Sequence, residues 1–575
     1  MAMSSNGTNT NATNTVEPTR RTGSSAQRGP STPREEVVVD VVVVGFGAAG
    51  AAAAIEAAES GASVIALDRW GRGGASARSG GIVYLGGGTP QQEAAGFDDD
   101  SASMAQYLAL EQDLPVDDPR LRDFCERSLD HHRWLLDHGV RFPNGFESGK
   151  AVVPTGNDVG LYFSGNERHH DPVTPAVPRG HRVAGAGLTG ANLVDALHRS
   201  ARTAGVDVRD RIRAEGLVVE DGRIVGVDAM LVGGGEPETL LDKAAYQLRN
   251  IAVAAFQGAP RAMFRALDQR DAAAASPIRI RVRHGVVLAT GGFVFDRDMV
   301  ARFAAPYRDA VPLGTPGCDG SGITMAMDVG AAVQDMDRCG ASRFIAPPTA
   351  FCSGVLVDQD GDRICDESLY AATLSAEMTR RGGRGWLVID SRIRDEVRRQ
   401  VRDLPPIHSR GLGELLSGRA SHVMFPKVFG PLNLYVNRKS GSTLRELAGR
   451  CGIDPLRLEE TIERYNEIAT GGEPDPLGKR SEYLRAVTTP PFYAVRCHVD
   501  GRVFPAPCIT LGGLVTDPMT QAVLRADGSA IDGLFAAGRC AAGVVSRSYV
   551  SGLSLADCIH TGRSAGRSVG PARGT

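Results

Sequence analysis

Residues 41–50 read Val-Val-Val-Val-Gly-Phe-Gly-Ala-Ala-Gly, and an alanine-rich helix is expected directly after them over residues 51–58. Gly45, Gly47 and Gly50 make a G-x-G-x-x-G at the end of a valine strand. A second apolar run, residues 64–67, ends at Asp68. Strand, glycine turn, helix and an acid-tipped strand, in that order, are the first βαβ unit of a dinucleotide-binding domain. Gly45 permits the tight turn, Gly47 lets backbone approach a pyrophosphate, and Gly50 lets helix and strand pack closely. The helix N-terminus offers unpaired N–H groups and the positive end of its dipole to phosphates. Asp68 is placed to accept hydrogen bonds from ribose hydroxyls.

Which dinucleotide is bound follows from what comes next. Residues 73–81, Gly-Gly-Ala-Ser-Ala-Arg-Ser-Gly-Gly, are a second glycine-rich loop directly beyond the acid. A nicotinamide cofactor that comes and goes rarely needs such a wrap, whereas a buried flavin does. Three later pieces agree with FAD. Residues 285–292 form a buried strand ending in a turn, residues 532–539 a strand and turn, and residues 552–557 open a last helix. Any one glycine pair alone reads as an ordinary turn; four in this order do not. Contacts to FAD are therefore expected from Gly45, Gly47, Ala48, Ala49 and Gly50, from Asp68 and Arg69, and from Gly74, Ala75, Ser76, Ser79, Gly80 and Gly81. Further contacts are expected from Ala214, from Ala289, Thr290 and Gly291, from Asp319, from Gly538 and Arg539, and from Ser554 and Leu555. No histidine or cysteine lies in the 73–81 loop, so the flavin is expected to be held noncovalently.

These same residues carry a family resemblance. The chain resembles the FAD-dependent flavoproteins that include fumarate reductases and 3-ketosteroid dehydrogenases, and within them it is most similar to the 3-ketosteroid Δ4-(5α)-dehydrogenases. The likeness runs from about residue 37 to about residue 566. Its most specific pieces are GGASARSGGIVYLGGGT (residues 73–89), Pro178-Arg179-Gly180-His181, Thr510-Leu511-Gly512-Gly513-Leu514 and AAGRCAAGV…YVSGLSL (residues 536–555). The fold expected is α/β: a Rossmann-type FAD-binding domain with an inserted α+β capping domain.

With 575 residues, two domains or more are expected. A net charge of −3 gives no electrostatic ground for nucleic-acid binding. Ten scattered cysteines without C-x-x-C or His/Cys spacing read as reduced thiols in a cytoplasmic protein, with no metal expected. No C-x-x-C-H occurs, which excludes a self-contained flavocytochrome. Residues 1–35 are Ser/Thr/Asn/Gly/Pro-rich and read as a disordered tail. Arg20-Arg21 lacks the apolar stretch of an export signal behind it. The longest apolar run, residues 41–55, is shorter than the ~20 residues that span a bilayer.

Residues 36–292 are read as the first part of the FAD-binding domain, 293–487 as the capping domain and 488–575 as the returning part. A helix is expected over 188–204, a strand over 206–209, and a hairpin over 214–227 turning at Asp221-Gly222. Residues 240–276 depart from the family and read as two helices broken near Gly258-Ala259-Pro260. A surface insertion is the simpler reading of that segment; an amphipathic element making peripheral membrane contact is the alternative.

Desaturating a ketone at its α,β bond needs a polar group for the enolate-like oxygen, a base for the α-proton and a hydride acceptor. Residues 547–552 precede the last helix, where such groups belong. By the resemblance, Tyr549 and Ser551 match the tyrosine and serine of the Δ4-dehydrogenase site, and Tyr370 matches a third catalytic tyrosine from the cap. Each has a bland alternative as a satisfied buried hydroxyl. Phenols titrate near ~10, so an isolated tyrosinate is a poor base. Tyr549 is assigned to the ketone oxygen, with Ser551 and Tyr370 relaying the α-proton. Fumarate reductases carry a catalytic arginine where this chain has Tyr549 and a histidine where it has Ile509. An apolar ketone, a steroid among the candidates, thus fits better than a dicarboxylate. Arg547 and His498 keep the reductase reading alive, and a flavin-binding protein without turnover is a third reading. The electron acceptor is left open among a quinone, another protein and oxygen.

Overall fold

The computed structural model describes residues 36–71, 73–154, 156–232, 275–403, 421–501 and 506–571. The expected disordered tail at 1–35 lies outside these residues. So does the expected helical insertion at 240–276, apart from its last two positions, and with it the membrane-contact alternative.

Valines dominate the first strand, β1 (Glu36–Val44), and Val41, Val42 and Val43 are wholly buried, as a strand covered on both faces requires. β1 leads through the glycine turn into α1 (Ala48–Glu59) and back along β2 (Val64–Asp68), parallel to it with Val41 opposite Val64 and Val44 opposite Leu67. After β2 come β3 (Asp207–Asp210), the hairpin β4 (Ile212–Glu220) and β5 (Arg223–Leu231), and then β6 (Ser276–Leu288). Near the C-terminus follow β7 (Ala522–Leu524) and β8 (Ala530–Ala536). Across the sheet the order is β7-β8-β6-β1-β2-β3, with β5 pairing antiparallel to β6 and β4 to β5. β6 runs parallel to β1 along nearly its whole length, placing Leu288 beside Val44 and Ala536 beside Leu288. The expected strands, hairpin and helix (α2, Gly190–Thr203) all form.

Nine of α1's twelve residues are alanine or glycine, the others being Ile55 and two glutamates, because the helix is closely packed along nearly its whole length. The last helix, α3 (Leu553–Val569), crosses α1 so closely that a Cβ on Gly562 would lie 2.4 Å from the Ala49 carbonyl oxygen. A Cβ on Gly566 would lie 2.3 Å from that of Ala53. Glu56, 3 % exposed, ties the two helices through Arg563 Nε (2.6 Å) and Arg567 (2.9 Å). Burial alone would raise the Glu56 pKa, but the hydrogen bonds from Arg567 and Arg563 outweigh it and hold the carboxyl below its usual 4.5. Its stabilisation is therefore complete above the ordinary carboxylate range and is lost as pH falls through the lowered value. Glu56→Ala leaves the buried Arg563 Nε without its partner, although Asp130 still holds Nη1, and is expected to destabilise the protein by about 1–3 kcal/mol, read as a lowered Tm at neutral pH. A Tm unchanged from the parent would show that the pair adds nothing.

The middle of the chain builds a second sheet, Val355–Val357, Trp386–Ile389, Phe492–Arg496 and Arg438–Gly441, covered by helices such as Ala371–Arg380 and Pro455–Gly471. Its buried cluster runs from Ala310 to Cys508, while Phe293, Val300, Ile323 and Met336 pack with the nucleotide sheet. By strand pairing, Phe492–Arg496 belongs to the middle sheet. A third, four-stranded sheet (Ile82–Tyr84, Gly180–Arg182, Val159–Tyr162, Gly145–Glu147) comes from within the first nucleotide-domain segment.

Candidate active site

Gly45 has φ +96°, and a Cβ there would sit 2.5 Å from the Ala289 carbonyl oxygen, so the first turn rests directly on the end of β6. A Cβ on Gly50 would fall 1.8 Å from the Gly45 carbonyl oxygen. Gly47 faces the second glycine loop: Ala48 N donates to Ser76 Oγ at 3.1 Å, and a Gly47 Cβ would meet that oxygen at 3.2 Å. Gly74 and Gly81 take left-handed backbone, Ala75 and Ser76 lie in the short helix Gly74–Ala77, and Ser79 Oγ donates to Ser76 O and accepts from Gly81 N. Gly80 sits between them, its carbonyl accepting from Thr189 Oγ1.

The Asp68 carboxylate accepts from Trp70 N (3.0 Å) and Gly73 N (3.2 Å), so the acid also closes the loop behind it. Arg69 and Asp319, distant in sequence, form an ion pair of 2.9 Å. Thr290 Oγ1 donates to Cys540 Sγ, Gly291 has φ +83°, and a Cβ on Gly538 would meet the Ala49 Cβ at 2.8 Å. Arg539 reaches toward Thr510 O at 3.4 Å. Ser554 and Leu555 lie in the first turn of α3, whose N-cap, Gly552, supplies no side-chain cap. Ala214 lies on β4 opposite Ala229, in the hairpin beside β2.

Tyr549 and Ser551 sit in the stretch entering α3, and Tyr370 is the N-cap residue of helix Ala371–Arg380 in the middle block. The structure brings them together: the Tyr370 and Tyr549 ring centroids lie 6.2 Å apart at 34°. A Cβ on Gly340 would lie 2.8 Å from the Tyr549 Cβ and 3.3 Å from Ile509 Cγ1, so Ile509 stands next to Tyr549. Burial pushes both phenols above their ordinary value, and for Tyr370 a hydrogen bond with Ser551 draws the other way. At neutral pH both keep their protons.

Sequence reasoning missed Tyr162, whose hydroxyl is 3.3 Å from Ser551 Oγ, with burial raising its pKa too. It ends a short strand in a segment without motif, so no local signal marks it. Glu167, 1 % exposed, was missed as well; burial lifts its carboxyl to about 7. The two polar alternatives point elsewhere. Arg547 is exposed and donates to Asp113 O at 2.7 Å. His498 shares its Nδ1 with the backbone of Gly385, and burial lowers it to about 4. Beside Tyr370 lies a small, partly open pocket lined mostly by apolar side chains, among them Val152, Phe344, Ile345, Leu369 and Leu374, together with Lys150.

Residues 40–552 match the family described as FAD binding domain. The chain belongs to that family. A 3-oxo-5-alpha-steroid 4-dehydrogenase of Comamonas testosteroni is 32 % identical over 517 residues, covering 87 % of this chain and 92 % of the relative. A cytochrome-type fumarate reductase of Shewanella frigidimarina is 25 % identical, covering 92 % and 76 %. The crystal structure of a 3-ketosteroid-delta4-(5alpha)-dehydrogenase from Rhodococcus jostii, in complex with 4-androstene-3,17-dione, superposes with a TM-score of 0.75 at 30 % identity, covering 94 % of this chain and 98 % of that one. Within the family this protein stands with the 3-ketosteroid dehydrogenases and fumarate reductases as an FAD-dependent oxidoreductase acting on CH–CH groups. Its residues fit FAD: α1 and α3 both begin at glycines without side-chain caps, and a Cβ on Gly45, Gly50, Gly73 or Gly81 would clash with its neighbours, whereas the Cβ position of Gly74 is open. Among the described residues no helix is long and apolar enough to cross a membrane.

Proposed function

We propose that this protein introduces a C=C bond α,β to the ketone of a steroid-like apolar substrate. The observation that carries the reading is the pairing of Tyr370 with Tyr549, beside Ile509 and an apolar cavity. The residues assigned to FAD from the sequence hold it noncovalently, and when bound it supplies the hydride acceptor. Tyr549, protonated because it is buried, donates to the ketone oxygen and stabilises charge building there as the α-proton departs. Ser551, bridging Tyr162 and Tyr370, takes up that proton as its own moves to the Tyr370 hydroxyl, which in turn releases its proton to water at the pocket it lines. The steroid bound in the similar Rhodococcus jostii enzyme supports the substrate class. Electrons then leave to a quinone, a protein or oxygen.

The fumarate reductase relatives keep a second reading open, reduction of an unsaturated acid. An apolar pocket with Arg547 and His498 turned away does not offset the desolvation of two carboxylates. A neutral steroid instead gains roughly 25 cal/mol per Å² buried. One preparation assayed both ways decides between them. A saturated 3-ketosteroid is expected to bleach the flavin anaerobically and to turn over with an artificial dye, while fumarate is neither bound nor reduced. Fumarate reduction without ketone oxidation overturns the reading, and a flavin that neither compound touches makes the protein a carrier. Acid precipitation of the yellow protein is expected to leave the flavin in the supernatant, since the 73–81 loop offers no histidine or cysteine as a tether. Colour remaining in the pellet means a covalent link.

A further inference from the structure

Helix Ala371–Arg380 begins at Tyr370, a residue whose own side chain gives no cap. The first amides of a helix need partners, and here the partner comes from far away in sequence. Asn166 Oδ1 accepts from Tyr370 N at 2.6 Å, and Asn166 Nδ2 donates to Thr373 Oγ1 at 2.8 Å. Asn166 is itself 5 % exposed and fixed, its backbone N donating to the Tyr107 hydroxyl at 2.9 Å. Two neighbours on the same stretch grip the same loop. Lys150 Nζ donates to the carbonyls of Ser368 and Leu369, the latter at 2.7 Å. His169 Nδ1 bonds Asp366 Oδ2 at 3.1 Å, while the Asp366 carboxylate also accepts from Ser368 N and Oγ. The amide of Tyr370 and the two carbonyls before it are thus all held by side chains from outside the middle block.

We propose that Asn166, with Lys150 and His169, is a positioning residue for Tyr370, an inference that rests on the reading in which Tyr370 handles the α-proton. The loop carrying Tyr370 belongs by packing to the middle block, while Tyr549 and Ser551 belong to the returning segment. The Tyr370–Ser551 hydrogen bond joins the two sets at their side chains, while the backbone that carries Tyr370 is held from outside its own loop. Asn166 clamps the Tyr370 backbone, which sets where the ring meets Tyr549 at 6.2 Å. Displacing a reacting group by about 1 Å costs up to ~10²-fold in rate, and the loss falls on the chemical step.

The test is a double-mutant cycle on the FAD-loaded protein with a 3-ketosteroid and a dye. Asn166→Ala is expected to lower kcat by ~10- to 100-fold with KM and flavin absorbance near the parent's. In a Tyr370→Phe background the same change is expected to add nothing, because the hydroxyl it positions is gone. Asn166→Asp, which keeps an acceptor for Tyr370 N and a second for the Thr373 hydroxyl, is expected to recover most of the rate. If Asn166→Ala slows Tyr370→Phe by the same factor as it slows the parent, Asn166 is a structural residue and the inference is overturned. If Tyr370→Phe alone runs at the parent rate, Tyr370 is not catalytic, and the functional reading fails before the positioning does. Should Asn166→Ala lose its flavin, Lys150→Met takes its place in the cycle with the same non-additivity expected, and Lys150→Arg as its rescue.

Discussion

Tyr549→Phe is expected to lower kcat for a 3-keto substrate by about 10²–10³ while leaving the flavin in place. The substitution removes one oxygen and keeps the ring, so the contacts with Gly340, Ile509 and Tyr370 persist. What goes is a buried O–H donor. Because burial raises the Tyr549 pKa above the ordinary phenol value, the parent carries that proton throughout the neutral range. The ratio of parent to variant rates is accordingly expected to be flat with pH there. A tyrosinate base would give a ratio that climbs with pH instead. Parental turnover by the variant would make Tyr549 a packing residue and end the oxyanion assignment.

Gly50→Ala is expected to yield protein without bound flavin, or none that is soluble. Alanine is the better helix former, and at an open helical site the exchange gains up to ~1 kcal/mol. At Gly50 the new Cβ falls 1.8 Å from the Gly45 carbonyl oxygen, so turn and helix must separate. Gly449, on helix Leu444–Cys451 with nothing within 4 Å of its Cβ position, is the control: Gly449→Ala is expected to stay yellow with an unchanged or higher Tm. Flavin absorbance per chain reads both. A yellow, stable Gly50→Ala protein would refute the close packing of turn and helix.

The nucleotide half was legible in the sequence because its signals are local. The glycine turn, Asp68, the Asp221-Gly222 hairpin and the last helix each announce themselves within a few residues, and each forms where expected. Tyr549, Ser551 and Ile509 were legible only through resemblance, and geometry then brings Ile509 against Tyr549 and Tyr370 across from it. Tyr162, Asn166 and Lys150 were not legible at all. Tyr162 ends a short strand and Asn166 and Lys150 lie between short strands, all without motif, and their partners stand more than two hundred residues later in the chain. Phe492–Arg496 reads from sequence as a strand of either domain, and its pairing with Trp386–Ile389 places it in the middle sheet. Asp68 shows the opposite case, a residue found easily whose bond to Gly73 N no pattern announces.

The order of strands has a consequence for how the protein is made. β1 finds its partner β6 only after more than two hundred residues have been translated, and β8 joins β6 later still. The face of α1 that α3 covers stays bare until α3 leaves the ribosome, since Gly562 and Gly566 are what pack on it. During most of synthesis the nascent chain therefore carries a partly uncovered apolar helix and an unpaired strand edge, the features chaperones hold. The nucleotide half accordingly completes its core late in biosynthesis, once α3 has docked on α1.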